Sequence, residues 1–400
     1  MGMDTCSQAG SFKLNKFLVL VMAASAGITV ANLYYIQPLL ADIADTFGVT
    51  QVSVGFVAML TQTGYALGML FLLPLADIKE KKSLIVTMLC FATGALTLMA
   101  FSFNIAVLSA AALAVGFCSV VPQLIVPFAA QLADPKERGK IIGSVMSGLL
   151  IGILVSRTFS GFVGEYLSWR AVYIIAAVLM VVLAFFLSRV LPASPPINKI
   201  RYRELFASMG RLLKTLPILR EAALNGAMMF GAFSAFWTTL VFLLESPAYQ
   251  LGTDIAGLFG LIGVSGAVIA PFVGRLADKR NPKFTVGIGM IIVILSYICF
   301  LFFGYQLFGL IAGVVLLDVG VQSCQISNQA RIHALGDEAR NRLNTVYMVS
   351  YFLGGSLGSI VGSYCYSNFG WPGVCFFGLA TQAIAAANHI AYRKKPAKEI

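Results

Sequence analysis

The chain is poor in charge. Of its 400 residues only 11% are Asp, Glu, Lys or Arg, where a soluble domain carries about 25%. So little charge cannot clothe a water-facing surface, and a soluble fold is excluded. Histidine is nearly missing as well. His333 and His389 are the whole supply, and no HExxH run occurs, so the usual metal centres and histidine-activated nucleophiles lack their parts. The sequence reads as no enzyme. The seven cysteines make no CxxC pair, and Cys90, Cys118, Cys299 and Cys324 fall inside apolar runs, as buried free thiols do. Ten-residue alternating segments are missing too, which rules out a transmembrane β-barrel.

What is present is apolar, 58% of the chain, in runs long enough to cross a bilayer. A span needs about 20 apolar residues. Twelve are predicted, over 16–40, 53–75, 83–102, 106–130, 140–163, 170–191, 222–246, 254–274, 283–303, 306–330, 343–366 and 371–392. The fold class is all-α and polytopic. Lys13 and Lys16 followed by Ala24-Ser25-Ala26 imitate a secretory signal, but the apolar run continues to Leu40, and cleavage would remove half of the first span. Met1-Gly2 is no myristoylation signal, since Cys6 stands where Ser or Thr is needed.

The net charge of +11 is a topology signal. With the N-terminus in the cytoplasm, 26 of the 28 Lys and Arg residues fall in cytoplasmic segments, as the positive-inside bias requires. Both termini are expected in the cytoplasm, with anionic lipid beside the basic loops and no nucleic-acid partner.

A basic stretch from Ser188 to Glu221, with Pro192, Pro195 and Pro196, separates runs six and seven. Within it, Arg201 to Leu216 alternate basic and apolar residues at helical spacing, which suits a helix on the membrane surface. The expected division is 1–190 for one six-helix bundle, 191–221 for the central loop and 222–400 for the second bundle. The two sets match at an offset of 201 to 202 residues. Asp77 answers to Asp278, Arg138 to Arg340, Gly152 to Gly354, Trp169 to Trp371, Gln123 to Gln325, and Tyr34-Tyr35 to Phe236-Trp237. Such parallel repeats are a transporter architecture, with the substrate site between the halves.

Twelve runs, a basic central loop and the phrase Gly274-Arg275-Leu276-Ala277-Asp278-Lys279-Arg280 after run eight resemble the major facilitator superfamily. The subgroup resembled is one of bacterial permeases often named drug or sugar efflux proteins. The first copy of the phrase is degenerate. Leu73, Ile78 and Glu80 replace a glycine, a basic residue and a second glycine, while Asp77, Lys81 and Lys82 remain. The resemblance implies two pseudo-symmetric six-helix bundles around a central cavity, in a chain that works as a monomer. It implies inner-gate roles for Asp77, Lys81, Lys82, Gly274, Asp278, Lys279 and Arg280, with Asp77 meeting the start of run eleven near Arg340. It also implies that runs one and seven line the cavity. Asn32, Tyr34, Tyr35, Gln37, Phe236 and Trp237, with Phe230 and Phe233 nearby, would then form a wall suited to an organic, partly apolar solute.

Glycines four apart in runs two (Gly64, Gly68), five (Gly148, Gly152) and eleven (Gly354, Gly358, Gly362) let helices approach closely. The resemblance sets these runs face to face across the two halves, where such packing would let the halves slide.

Only two ionisable residues lie deep in a run, Arg157 and Asp318. Each costs at least about 2.5–3.5 kcal/mol at a helix centre, so pairing or function is the default. Asp318 heads the stretch LLDVGVQSCQISNQ, residues 316–329, in which Gln322, Gln325 and Gln329 fall on the same helical face. That stripe fits a water-filled cavity. Gln325 has its counterpart in Gln123, but Asp318 answers to Gly116, so the charge belongs to one half only.

An Arg157–Asp318 pair that forms in one state and parts in another would couple proton or substrate to the motion. Alternatively, Arg157 holds an anionic substrate, or pairs permanently with a carboxylate such as Asp42. Two patterns of antiporters in the resembled family are absent: Ala112 stands in place of an arginine before Gly116, and Ile153 in place of a proline after Gly152. Asp318 is left as the carboxylate for proton coupling. The expectation is a secondary transporter exporting a small organic molecule across the bacterial plasma membrane, powered by the proton gradient, with no cofactor or metal. Uptake, facilitated diffusion or a non-transporting receptor are the alternatives.

Overall fold

A computed structural model describes residues 15–76, 78–134, 137–193, 202–263, 282–336 and 339–392. Among them there is no strand. The first predicted span is broken. Helix α1 (Lys16–Ala31) starts at Asn15, whose side-chain oxygen accepts the Phe17 N–H at 2.8 Å, a normal N-cap. Residues 32–39 then run as turns through Pro38 before α2 (Leu40–Phe47), which Gly48 closes at φ 61°. That positive φ is one a glycine adopts without strain.

Helices α3 (Gln51–Leu75) and α4 (Lys81–Ala100) follow as single spans. The fourth run divides into α5 (Ile105–Cys118) and α6 (Val121–Leu132). Pro122 in the first turn of α6 has no N–H to continue α5. Helices α7 (Arg138–Tyr166) and α8 (Trp169–Val190) complete the first bundle. After α9 (Tyr202–Thr215) come α10 (Pro217–Glu245), α11 (Thr253–Ile262), α12 (Pro282–Phe303) and α13 (Leu307–His333). Runs eleven and twelve form one element, α14 (Arg340–Ala391), broken only at Gly370, φ 62°. Run eight is described as far as Gly263.

In the first bundle α1 packs on α7, α3 on α5, and α4 on α8; in the second, α10 packs on α14 and α12 on α13. Outward faces are oily. Leu20, Phe91, Phe185, Ile291, Leu357 and Phe376 are all exposed, which only a lipid solvent permits. The multi-pass membrane reading follows from apolar surface inside and out.

The glycine stripes pack differently from the expectation. Gly148 and Gly152 meet Ala23 and Gly27 of α1, Gly64 meets Leu113 of α5, and Gly358 and Gly362 meet Gly231 and Ala235 of α10. Each stripe joins helices of one bundle. Spans one and five in the first half, and seven and eleven in the second, use the same device, so the stripes stiffen the halves instead of letting them slide.

Charge sorts the two ends. Lys81, Arg138, α9 and Arg340 mark a basic end; Asp42, Asp45, Glu165, Glu245 and Asp254 mark an acidic end. Helix α9 buries Leu205 and Met209 against the bundles and leaves Leu213 exposed. The Tyr202 hydroxyl donates to the Phe71 carbonyl at 2.6 Å, and Arg342 Nη1 donates to Ser208 Oγ at 3.1 Å. Helix α9 therefore touches α3 of one bundle and α14 of the other.

Candidate functional site

The two bundles meet along two seams. In the first, α3 faces α14. Gln62 Nε2 donates to Ser359 Oγ at 3.0 Å, while Gln62 Oε1 accepts from Ser234 Oγ of α10 at 3.2 Å. Thr63 and Ser356 share a 2.6 Å hydrogen bond, and Ser356 Oγ also reaches the Met59 carbonyl at 3.1 Å. Ser356 sits in a Gly-Gly-Ser-Leu-Gly string, a spelling shared with hydrolase nucleophiles. Here it is mid-helix and hydrogen-bonded to Thr63 and Met59, a packing residue.

In the second seam α7 faces α11. Thr158 Oγ1 donates to the Gly257 carbonyl at 3.0 Å, and a Cβ built on Gly257 would lie 2.7 Å from the Arg157 carbonyl oxygen. Near the acidic end, Thr253 draws carboxylates from both halves. Its N–H donates to Glu165 Oε2 at 3.2 Å, and its hydroxyl approaches Asp42 Oδ2 at 3.1 Å and Glu245 Oε1 at 3.5 Å. Burial pushes the Asp42 carboxyl above its usual range; the Thr253 hydrogen bond opposes this, and Glu165 and Asp45 add to it.

Arg157 lies at the inner edge of that seam, 1% exposed. Its Nε donates to Gln37 Oε1 at 2.7 Å. Its guanidinium carbon stands 3.9 Å from the Trp237 ring centre, 5.0 Å from Tyr34 and 5.6 Å from Phe233. A buried cation is thus surrounded by aromatic faces, which attract it. Among the described residues no carboxylate comes within salt-bridge distance of it. Nη2 has no hydrogen-bond partner.

Asp318 is 6% exposed, and its Oδ2 also lacks a partner. Both charges flank one turn of α11: a Cβ on Gly260 would meet the Arg157 side chain at 2.8 Å, and a Cβ on Gly263 would meet Asp318 Oδ2 at 3.5 Å. The two residues are therefore neighbours that do not form an ion pair here. Asp42, the other suggested partner of Arg157, is engaged with Thr253.

Below Asp318 the stripe continues half-buried through Gln322, Gln325 and Gln329. Gln325 Oε1 accepts from the Tyr351 hydroxyl at 3.3 Å, and Gln123 Nε2, its counterpart, donates to the Tyr65 hydroxyl at 3.3 Å. The repeat extends to the partner chemistry, an amide bonded to a tyrosine in each half.

The remaining aromatic and polar positions divide by direction. Trp237 faces the seam, while Phe236 stacks on Phe300 at 4.5 Å inside its own bundle. Tyr35 packs on Phe159 at 5.7 Å, and Asn32 Nδ2 points to Ser119 Oγ at 3.3 Å in the first bundle. An aromatic contact between Tyr65 and Phe352, 4.6 Å apart, joins the halves, and Tyr351 beside it stacks on Phe230 at 4.2 Å within the second bundle; of these, Tyr65, Tyr351 and Phe352 had not been expected from the sequence. The signal available was the spacing of Tyr347, Tyr351 and Phe352 one turn or less apart.

Of the gate-loop residues, Asp77, Gly274, Asp278, Lys279 and Arg280 lie outside the described residues. Lys81 Nζ donates to Gln131 Oε1 and sits 5.8 Å from the Phe128 ring centre. Lys82 is half-buried at the start of α4, and Arg340 is the first residue of α14.

The sequence profile of the Major Facilitator Superfamily matches residues 21–335. Over 380 residues the chain is 39% identical to an uncharacterized transporter of Escherichia coli O157:H7, YgaY, covering 95% of this chain and 96% of that one. Over 381 residues it is 24% identical to a probable sugar efflux transporter of Helicobacter acinonychis, covering 93% and 94%. Its fold matches that of a bacterial homolog of the human lysosomal transporter Spinster, solved inward-facing and unoccupied, with a TM-score of 0.74 at 15% identity, over 94% of this chain and 96% of that one. Two repeated bundles, a polar stripe between them and a profile spanning most of the sequence lead to one conclusion: the chain belongs to the Major Facilitator Superfamily, a multi-pass membrane transporter of a small solute and not an enzyme.

Proposed function

We propose that this protein exports a small organic molecule across the bacterial plasma membrane by alternating access, with proton entry as the driving force. In this reading the basic end faces the cytoplasm, as the positive-inside bias favours, and both termini lie on that side. Residues 1–190 and 222–400 are the two rocking bodies, 191–221 links them, and one copy of the chain suffices. The polar stripe of α13 is the solute's wetted path, and Asp318 is the proton carrier. The basic-end loops with Asp77, Lys81, Lys82, Gly274, Asp278, Lys279, Arg280 and Arg340 act as gates. The observation that carries the reading is Asp318 itself, a buried carboxylate whose Oδ2 has no partner, one α11 turn from an arginine that is bonded elsewhere. Asp318 takes up the proton and gives it up as the seam closes and opens, its charged form meeting Arg157 once that side chain leaves Gln37. Export also agrees with the efflux names among the relatives.

Proteoliposomes loaded with a pH dye test this. Solute movement should carry protons in the opposite direction in the wild type, whereas Asp318→Asn should keep solute exchange and lose accumulation against a gradient. Transport without proton movement would leave facilitated diffusion; protons and solute moving the same way would make it uptake.

A further inference from the structure

Two residues that line one small void at the inner edge of the seam each carry a buried, unpartnered donor. The void, about 10 Å3, is lined by Gln37, Pro38, Arg157, Trp237, Leu240, Val241 and Ala256. Arg157 and Trp237 both line it, and Arg157 Nη2 and Trp237 Nε1 are both buried with no hydrogen-bond partner. Among the lining side chains the acceptor is Gln37 Oε1, and it already accepts from Arg157 Nε at 2.7 Å. Leu240, Val241 and Ala256 offer no side-chain acceptor. A buried donor left unmade is costly, more so when charged, and an arginine and a tryptophan contributed by opposite bundles share that condition. What satisfies both is an acceptor that brings negative charge.

We infer that the solute is an organic carboxylate, held by Arg157 and the Trp237 indole N–H with its body against the rings of Tyr34 and Phe233. This rests on the reading that the path between the bundles carries the solute. A guanidinium matches a planar carboxylate with parallel N–H bonds, and aromatic faces suit a flat, apolar body. The void has room for about one water-sized group, so the carboxylate enters only as the Arg157–Trp237 contact loosens. Because that contact spans α7 and α10, anion binding acts on the seam directly. The roles of the two deep charges then differ: Arg157 selects the anion, and Asp318, an acceptor that does not line the void, takes no part in holding it.

Purified protein in detergent is melted with sodium benzoate, its neutral isostere benzamide, and benzylammonium, each at about 10 mM. Benzoate should raise the wild-type melting temperature by about 3 °C, with no rise from benzamide or benzylammonium. Arg157→Gln should abolish the rise. Trp237→Phe keeps the ring face and removes only the N–H, so benzoate affinity should fall about tenfold. That second variant decides the matter if Arg157→Gln does not fold. A rise with benzylammonium instead, an undiminished benzoate rise in Arg157→Gln or Trp237→Phe, or no rise with any of the three overturns the carboxylate assignment. Binding is read without transport, so it stands or falls apart from the direction and proton coupling tested in proteoliposomes.

Discussion

The acidic and basic ends treat buried carboxylates in opposite ways. At the basic end Glu221 is almost fully buried and heavily compensated. Arg331 grips both its oxygens, His389 Nδ1 lies 2.9 Å from Oε1, and Lys283 stands 3.9 Å away. Asn388 Nδ2 adds a bond to the Glu221 carbonyl at 3.3 Å. Glu221 stands on α10, and all of these partners belong to the second bundle, on α12, α13 and α14. At the acidic end Asp42 and Glu165 of the first bundle meet Glu245 and Thr253 of the second, and no lysine or arginine joins them among the described residues. One arrangement fastens a bundle; the other is a contact between bundles that charge alone would push apart.

The largest effect should come from breaking the fastened end. Arg331→Leu leaves Glu221 with its weaker partners, and removing one side of a buried pair costs about 3–5 kcal/mol. The melting temperature in detergent should drop by about 4–6 °C. Adding Glu221→Met to Arg331→Leu should recover most of the loss, since an apolar replacement of the whole pair is often neutral. A large drop that the double variant does not recover would mean that Arg331 acts through something other than Glu221.

A smaller effect separates the two kinds of glycine contact. Gly358→Val drives a side chain into the Gly231 backbone within the second bundle and should lower the melting temperature, overpacking costing about 1–3 kcal/mol. Gly257→Val strikes the Arg157 carbonyl across the seam. There the bundles can part without unfolding. Melting should change little, while maleimide labelling of Val241→Cys in a cysteine-free background should quicken about tenfold. Equal losses of stability from both substitutions would erase the distinction between seam and bundle.

These contrasts were legible to different degrees in the chain. The twelve runs, the repeat and the depth of Arg157 and Asp318 follow from composition and spacing, because a bilayer forces long apolar helices and makes each charge conspicuous. The break at residues 32–39 did not show, since a turn inside a membrane protein is tolerated wherever neighbours satisfy its backbone. Phe236 and Trp237 look alike as a pair, yet adjacent helical residues point about 100° apart, and only packing reveals which one faces the seam. Glu221 was hidden for another reason. It stands at the edge of a basic loop, where a carboxylate attracts no notice, and its partners lie 62 to 168 residues further along the chain.

The weakest lever is the most specific to the acidic end. In the closed seam Asp42 is buried beside Glu165 and Asp45, which raises its carboxyl above the usual range; once the seam opens, water restores a value near about 3.9. The closed state therefore binds the proton more tightly. By linkage, closure is favoured at low pH and loses that contribution as pH rises from the ordinary carboxylate range through the raised value. Labelling of Val241→Cys from the acidic side should accordingly quicken as pH rises through that window. Asp42→Asn keeps an acceptor for the Thr253 hydroxyl and removes the titrating group, so it should flatten the profile by up to one proton, or about tenfold per pH unit at most. Glu165 and Glu245 keep their contacts with Thr253 in that variant. An unchanged slope in Asp42→Asn, or labelling that slows with rising pH, would show that the seam is held by its glycine packing alone and that its carboxylates carry no switch.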